Sequence, residues 1–161
     1  ENGADGISFG FLNPDATINI THTKKMVELI HRYRKEAVFH RAFDCVSDPY
    51  VAIQQLIDCG VDRILTSGLQ PTALQGCELL KKLQSEFGEQ VEILAGSGIN
   101  VDNIEALRER TGIHQFHGSC KTWEKDPTTT VGNISYAYHE KDDYDCVSTE
   151  IVQQIVQLLK R

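Results

Sequence analysis

Four places along the chain combine residues that can move protons or grip an anion with small residues that let the backbone turn. His40-Arg41 is followed by Asp44, Thr66-Ser67 precedes Gly68, Ser97 lies between Gly96 and Gly98, and His117-Gly118 precedes Ser119. An imidazole changes protonation near neutral pH and a carboxyl does so where its surroundings raise its pKa, so His40, Asp44 and His117 are the candidate acid–base groups. Arg41, Thr66, Ser67 and Ser119 supply N–H and O–H donors for a bound ligand. The Gly96-Ser97-Gly98 turn runs into a helical pattern, where backbone N–H groups at a helix N-terminus suit phosphate or carboxylate. Each feature also has a plain structural use. A histidine on a strand often serves as a hydrogen-bonded core residue, and two glycines permit a tight turn. If His40 points inward from a strand, alternation sends Arg41 towards the helices as a structural ion-pair partner, unless the strand is already turning there.

Thiols give a second kind of chemistry. The five cysteines (Cys45, Cys59, Cys77, Cys120 and Cys146) form an odd set without a C-x-x-C pair, which argues against a disulfide framework and a paired-cysteine zinc site and for reduced thiols in a cytoplasmic setting. Cys45 and Cys120 follow strand ends near His40 and His117, and soft thiolates suit Cu(I), so these two are the metal candidates. Cys59 and Cys77 fall on helical patterns and read as core.

The elements that must position these residues form a repeat. Segments 2–10, 59–68 and 111–118 share a helix-ending glycine, a short polar turn, an apolar strand and a closing small residue. Two more strands are expected over Glu36 to Phe43 and Val91 to Ala95. Helical patterns lie between them. One carries Met26, Leu29, Ile30 and Tyr33 on its apolar face, one is capped by Asp48 ahead of Pro49, and one runs from Thr72 to Phe87. Asn100 is expected to cap a helix bearing Ile104 and Leu107, and Ser148 or Thr149 the last helix. Strands joined by single helices run parallel with right-handed crossovers, so the fold class is α/β with ligands collecting where the strands end. Residues 119–147 lack a sustained period and are expected as a long loop after the last strand.

A formal charge of -7, from 16 Lys+Arg against 23 Asp+Glu, disfavours nucleic acid and anionic lipid, which leaves a small molecule, a metal or a protein as partner. No apolar run approaches the roughly 20 residues that span a bilayer, so no membrane association is expected. The chain opens at Glu1, without an initiating Met and at an apparent element boundary, so residues preceding it are expected.

Phe39-His40-Arg41-Ala42-Phe43-Asp44, Thr66-Ser67-Gly68, Gly96-Ser97-Gly98-Ile99 and Phe116-His117-Gly118-Ser119, together with Gly3-Ala4-Asp5-Gly6 and Phe9-Gly10, resemble the CutC family, named for copper homeostasis. The resemblance implies a (β/α)8 TIM-barrel type of fold. Residues 1–161 then form a single domain covering about strands four to eight. It further implies a cytoplasmic copper homeostasis protein with possible copper binding, and a homo-oligomer is expected. The cysteines usually proposed as copper ligands in the family belong to earlier strands and have no counterpart here. Cys120 and Ser97 depart from the family pattern and borrow no role from it.

Three readings share these residues. A copper-handling protein would hold Cu(I) through thiolates. An enzyme acting on a small anionic or phosphorylated metabolite would hold the anion at Gly96 to Gly98 and Ser119 and transfer protons through His40, Asp44 or His117. A binding scaffold would do neither, and fold alone does not separate the three.

Overall fold

The computed structural model describes residues 3–137 and 139–160. Their contacts divide into two compact units, residues 1–99 with 103–118, and residues 100–102 with 119–161.

The first unit is built on five parallel strands in sequential order: β1 (Gly6–Phe9), β2 (Glu36–Phe39), β3 (Arg63–Thr66), β4 (Glu92–Gly96) and β5 (Gln115–His117). Each consecutive pair is joined by one helix: α1 (Ile20–Arg32), α2 (Pro49–Asp58), α3 (Cys77–Phe87) and α4 (Ile104–Thr111). Consecutive strand order without a switch point is the arrangement of a barrel wall rather than of a doubly wound sheet. Alternation is clear in the burial pattern. Ala37, Phe39, Ile64, Thr66, Ile93 and Ala95 share one face of the sheet and are buried, as are Ile53, Leu56, Leu80, Leu83, Ile104 and Leu107 on the helices. Burial of each such aliphatic or aromatic side chain contributes about 1.5–3 kcal/mol.

The opposite face of the sheet carries Val38, Leu65 and Leu94, with charges at its lower end. Glu36 Oε2 meets Arg63 Nη1 at 3.0 Å, and Gln115 Nε2 donates to Glu92 Oε2 at 2.7 Å. Register sets this row, because Arg63 pairs with Glu92.

Local signals account for most boundaries. Asp48 accepts from the amides of Tyr50 and Val51 ahead of Pro49, and Gly112 ends α4 with a left-handed φ of 73°. Four expectations need correction. The second strand stops at Phe39 instead of continuing to Phe43, because His40 caps a one-turn 3-10 helix over Arg41–Cys45. The third helix starts at Cys77, not Thr72, because residues 67–76 form a loop tied to its neighbours. Asn103, not Asn100, occupies the cap position of α4, while Asn100 accepts from the Asp102 amide in an Asx turn. On α1 the buried face is Thr23, Val27 and Ile30, while Leu29 and Tyr33 lie exposed beside Ile7.

In the second unit, the stretch 119–147 expected as a loop contains strands. Here β6 (Lys121–Lys125) pairs antiparallel with β9 (Asp143–Val147), and β7 (Thr130–Val131) forms a hairpin with β8 (Ile134–Ser135). The β6–β9 ladder joins residues 18 to 26 apart through polar, two-sided strands that leave little alternation to read, and the β7–β8 strands are only two residues long. Ser148 caps α5 (Thr149–Leu159) by accepting from the Ile151 amide.

Candidate functional site at the strand ends

Where β2 and β3 finish, Asp44 gathers five donors. Its Oδ1 accepts from Thr66 Oγ1 at 2.6 Å, the Ser67 amide at 3.0 Å and the Leu69 amide at 3.2 Å. Its Oδ2 accepts from Arg41 Nε at 2.7 Å and Ser67 Oγ at 2.9 Å, and shares the Ser67 amide at 3.1 Å. The side chain is only 8% exposed. Both carboxylate oxygens are therefore occupied, as a buried carboxylate requires. These bonds make Asp44 an organiser of its surroundings.

Arg41 is the group it organises. Because the strand has ended, strict alternation no longer sends this side chain towards the helices. It crosses instead to the end of β3, where Nη2 donates to Ser67 Oγ at 2.9 Å. Guanidinium has five N–H donors, of which Nε uses one and this bond another. The remaining three have no partner among the described residues, and the side chain is 42% exposed. Ser67 Oγ accepts from Arg41 and has one proton to give, with both Asp44 Oδ2 and the Gln70 carbonyl in reach. The loop after β3 is thus stitched to the turn after β2. Gly76 completes the seam, since a Cβ there would land on the Ser67 carbonyl and 2.9 Å from Gly68 Cα.

His40 is fixed from two sides. Its Nδ1 accepts from the Ala42 amide at 3.0 Å, and its ring lies on the backbone of Gly10, where a Cβ would come within 2.6 Å of Nδ1. With Nδ1 accepting, the neutral imidazole carries its proton on Nε2. Among the described residues Nε2 has no partner.

The Gly96-Ser97-Gly98 turn is a clasp. Ser97 has a left-handed φ of 77°, its Oγ donates to the Pro71 carbonyl at 2.7 Å, and its carbonyl accepts from the Ala73 amide at 3.0 Å. Gly96 lacks room rather than offering it, because a Cβ would meet Leu65 Cδ1 at 2.6 Å. His117 pairs with Gly96 in the register and is exposed. Its imidazole has no partner among the described residues. Three strand steps of about 4.8 Å separate β2 from β5, so His40 and His117 stand roughly 14 Å apart along the sheet.

The first unit therefore brings together His40, Arg41, Asp44, Thr66 and Ser67, with the Gly96 to Gly98 turn tied to the same β3 loop and His117 two strands away from β3. Ser119 and Cys120 belong to the second unit. Gly10, Leu69 and Gln70 are structural partners that residue chemistry did not single out. For Gly10 the available signal was its place as the closing small residue of the first repeat.

Cys45, Cys59, Cys77 and Cys146 are thiols outside any disulfide. Cys45 is exposed, Cys120 half-buried, and Cys59 and Cys77 buried, with burial pushing the Cys59 thiol pKa up. Among the described residues no three His, Cys, Asp or Glu side chains converge as a metal site. Cys45 and Cys120, the thiol candidates for Cu(I), belong to no such group among the described residues. Among the described residues no helix is long and apolar enough to cross a membrane.

Comparison with known proteins adds the family context. A model described as the CutC family matches residues 1–122. A CutC family protein of Treponema denticola is 32% identical over 163 residues, which cover 99% of this chain and 65% of that protein. One from Bacteroides fragilis is 42% identical over 119 residues, covering 74% of this chain and 47% of the relative. A crystal structure of CutC from Streptococcus agalactiae, a protein named for copper homeostasis, superposes with a TM-score of 0.66 at 27% identity over 72% of this chain and 56% of that one. The chain thus spans about half to two thirds of the length of the relatives it matches. That likeness and the five-strand parallel wall give a TIM-barrel-like α/β fold.

Proposed function

From the premise that this chain belongs to the CutC family, we propose that it serves copper homeostasis in the cytosol through a small-anion site at the mouth of a barrel, without holding copper on its own residues. The observation that carries the reading is Arg41. Its guanidinium is braced by Asp44 and Ser67 and keeps three N–H donors unpartnered and half-exposed where parallel strands end. A braced guanidinium matches the oxygens of a carboxylate or phosphate and loses little freedom on binding them. Asp44, saturated by its own donors, is assigned to positioning, and His117, exposed and unpartnered, remains the proton-transfer candidate. Thiols at Cys45, Cys59, Cys77 and Cys146 fit a reducing compartment.

The test is calorimetric titration of the chain with inorganic phosphate and with small mono- and dicarboxylates, repeated on Arg41→Ala and Arg41→Lys. Loss of one charge-assisted contact at a buried-edge site lowers affinity about tenfold or more, so Arg41→Ala should do so while the fold is kept. Equal affinity in both variants overturns the site. A parallel Cu(I) titration under a competing chelator should show no stoichiometric retention. Stoichiometric binding abolished by Cys45→Ser or Cys120→Ser would overturn the second half of the proposal.

A further inference from the structure

We infer that His40 meets the anion as a neutral hydrogen-bond donor through Nε2–H, and that Gly10 is the positioning residue that makes it so. This deepens the anion reading above and rests on it.

Three observations support the assignment. The Ala42 amide donates to Nδ1 at 3.0 Å, which consumes the lone pair there and leaves the proton on Nε2. The ring sits flat against Gly10, where any side chain would overlap Cε1 and Nδ1 and also approach Ala42 Cβ to 2.9 Å. Nε2 is unpartnered among the described residues, and Phe39 is fully buried on the helix side, so alternation turns His40 towards the barrel interior. His40 and Arg41 are consecutive and each presents donors without a matching acceptor, so the ligand they suit is rich in acceptor oxygens. A general base at Nε2 would need the opposite tautomer and would forfeit the Ala42 bond that caps the 3-10 turn.

The experiment is long-range 15N–1H correlation of the imidazole and guanidinium nitrogens of the intact chain at about pH 8, above the ordinary imidazole range, with and without inorganic phosphate. His40 should show a protonated Nε2 and an unprotonated, hydrogen-bonded Nδ1, and phosphate should shift both His40 Nε2 and the Arg41 Nη nitrogens. Gly10→Ala should mix the tautomers and weaken phosphate binding about tenfold, the scale of one hydrogen bond to a charged acceptor. His40→Gln, which keeps a neutral donor and cannot transfer protons, should bind within about threefold of the parent, whereas His40→Ala should lose about tenfold. If Gly10→Ala does not fold, the tautomer of the parent and the Gln/Ala pair still decide. A proton on Nδ1, or Gln no better than Ala, overturns the inference. A phosphate shift at Arg41 with His40 unmoved overturns it while sparing the anion site. No shift at either residue removes the anion site and the inference together.

Discussion

Asp44 and Asp143 are nearly buried aspartates in different units, with side chains 8% and 2% exposed. Asp44 takes donors on both oxygens from three segments: the 3-10 turn, the end of β3 and the loop beyond it. Asp143 takes its donors on Oδ2 alone, from the Glu140 amide at 2.7 Å and His139 Nδ1 at 3.1 Å, and Oδ1 has no partner among the described residues. One carboxylate knits segments distant in sequence, and the other closes a local loop. A bond network that crosses segments fixes an arginine at the strand ends. A network within four residues fixes only its own turn.

The largest test of that contrast is Asp44→Ala. It strands the Ser67 and Leu69 amides, Thr66 Oγ1 and the Arg41 charge, so stability should fall by about 3–5 kcal/mol, measured by urea unfolding. A loss below about 1 kcal/mol would mean the knot is ornamental. Gly76→Ala attacks the same seam from the backbone side, since its Cβ overlaps a carbonyl that has no flexible end to move. A loss of about 2–3 kcal/mol is expected, the upper range for overpacking. Gly132 offers the matched control in the β7–β8 turn, because it has φ 60° and nothing within 4 Å, so Gly132→Ala should cost only about 1 kcal/mol of backbone strain.

The smallest effect concerns Asp143. Burial raises its pKa, but the Glu140 amide, His139 and the Lys125 charge together outweigh it and hold the carboxyl below its ordinary value. A folded pKa below the unfolded one gives stability that is fully present above about pH 4 and is lost as the pH falls through the folded value. Trp123, the single tryptophan, stacks on His139 at 4.7 Å and reports on this unit. Urea midpoints followed by Trp123 should fall below about pH 4, and Asp143→Asn should flatten that fall. A fall of equal size in the Asn variant would assign it to other acids.

Much of the first unit was legible because its signals are local. Asp48-Pro49 and Gly112 mark helix ends through bonds to residues a few positions away, and period-two burial marks β2, β3 and β4. Polar residues that follow apolar strands gather at one end of a parallel sheet, and His40, Arg41, Asp44, Thr66 and Ser67 do so here. Their division of labour was not legible. Alternation sends Arg41 towards the helices unless the strand is already turning, and the stop at Phe39 is what turns it to Ser67; that both Asp44 oxygens accept bonds from distant segments leaves no mark in the sequence.

The sequence by itself determined the alternation of strands and helices through periodicity and capping within each element, the parallel topology through single-helix crossovers, and the family likeness through short motifs such as Phe39 to Asp44 and Gly96 to Ile99. Tertiary structure alone decided which nitrogen of His40 is free, which donors of Arg41 remain open and that Ser97 is a clasp. Those depend on Gly10, Ser67 and Pro71, residues 26 to 30 positions away in the chain that only folding brings within hydrogen-bond or van der Waals distance.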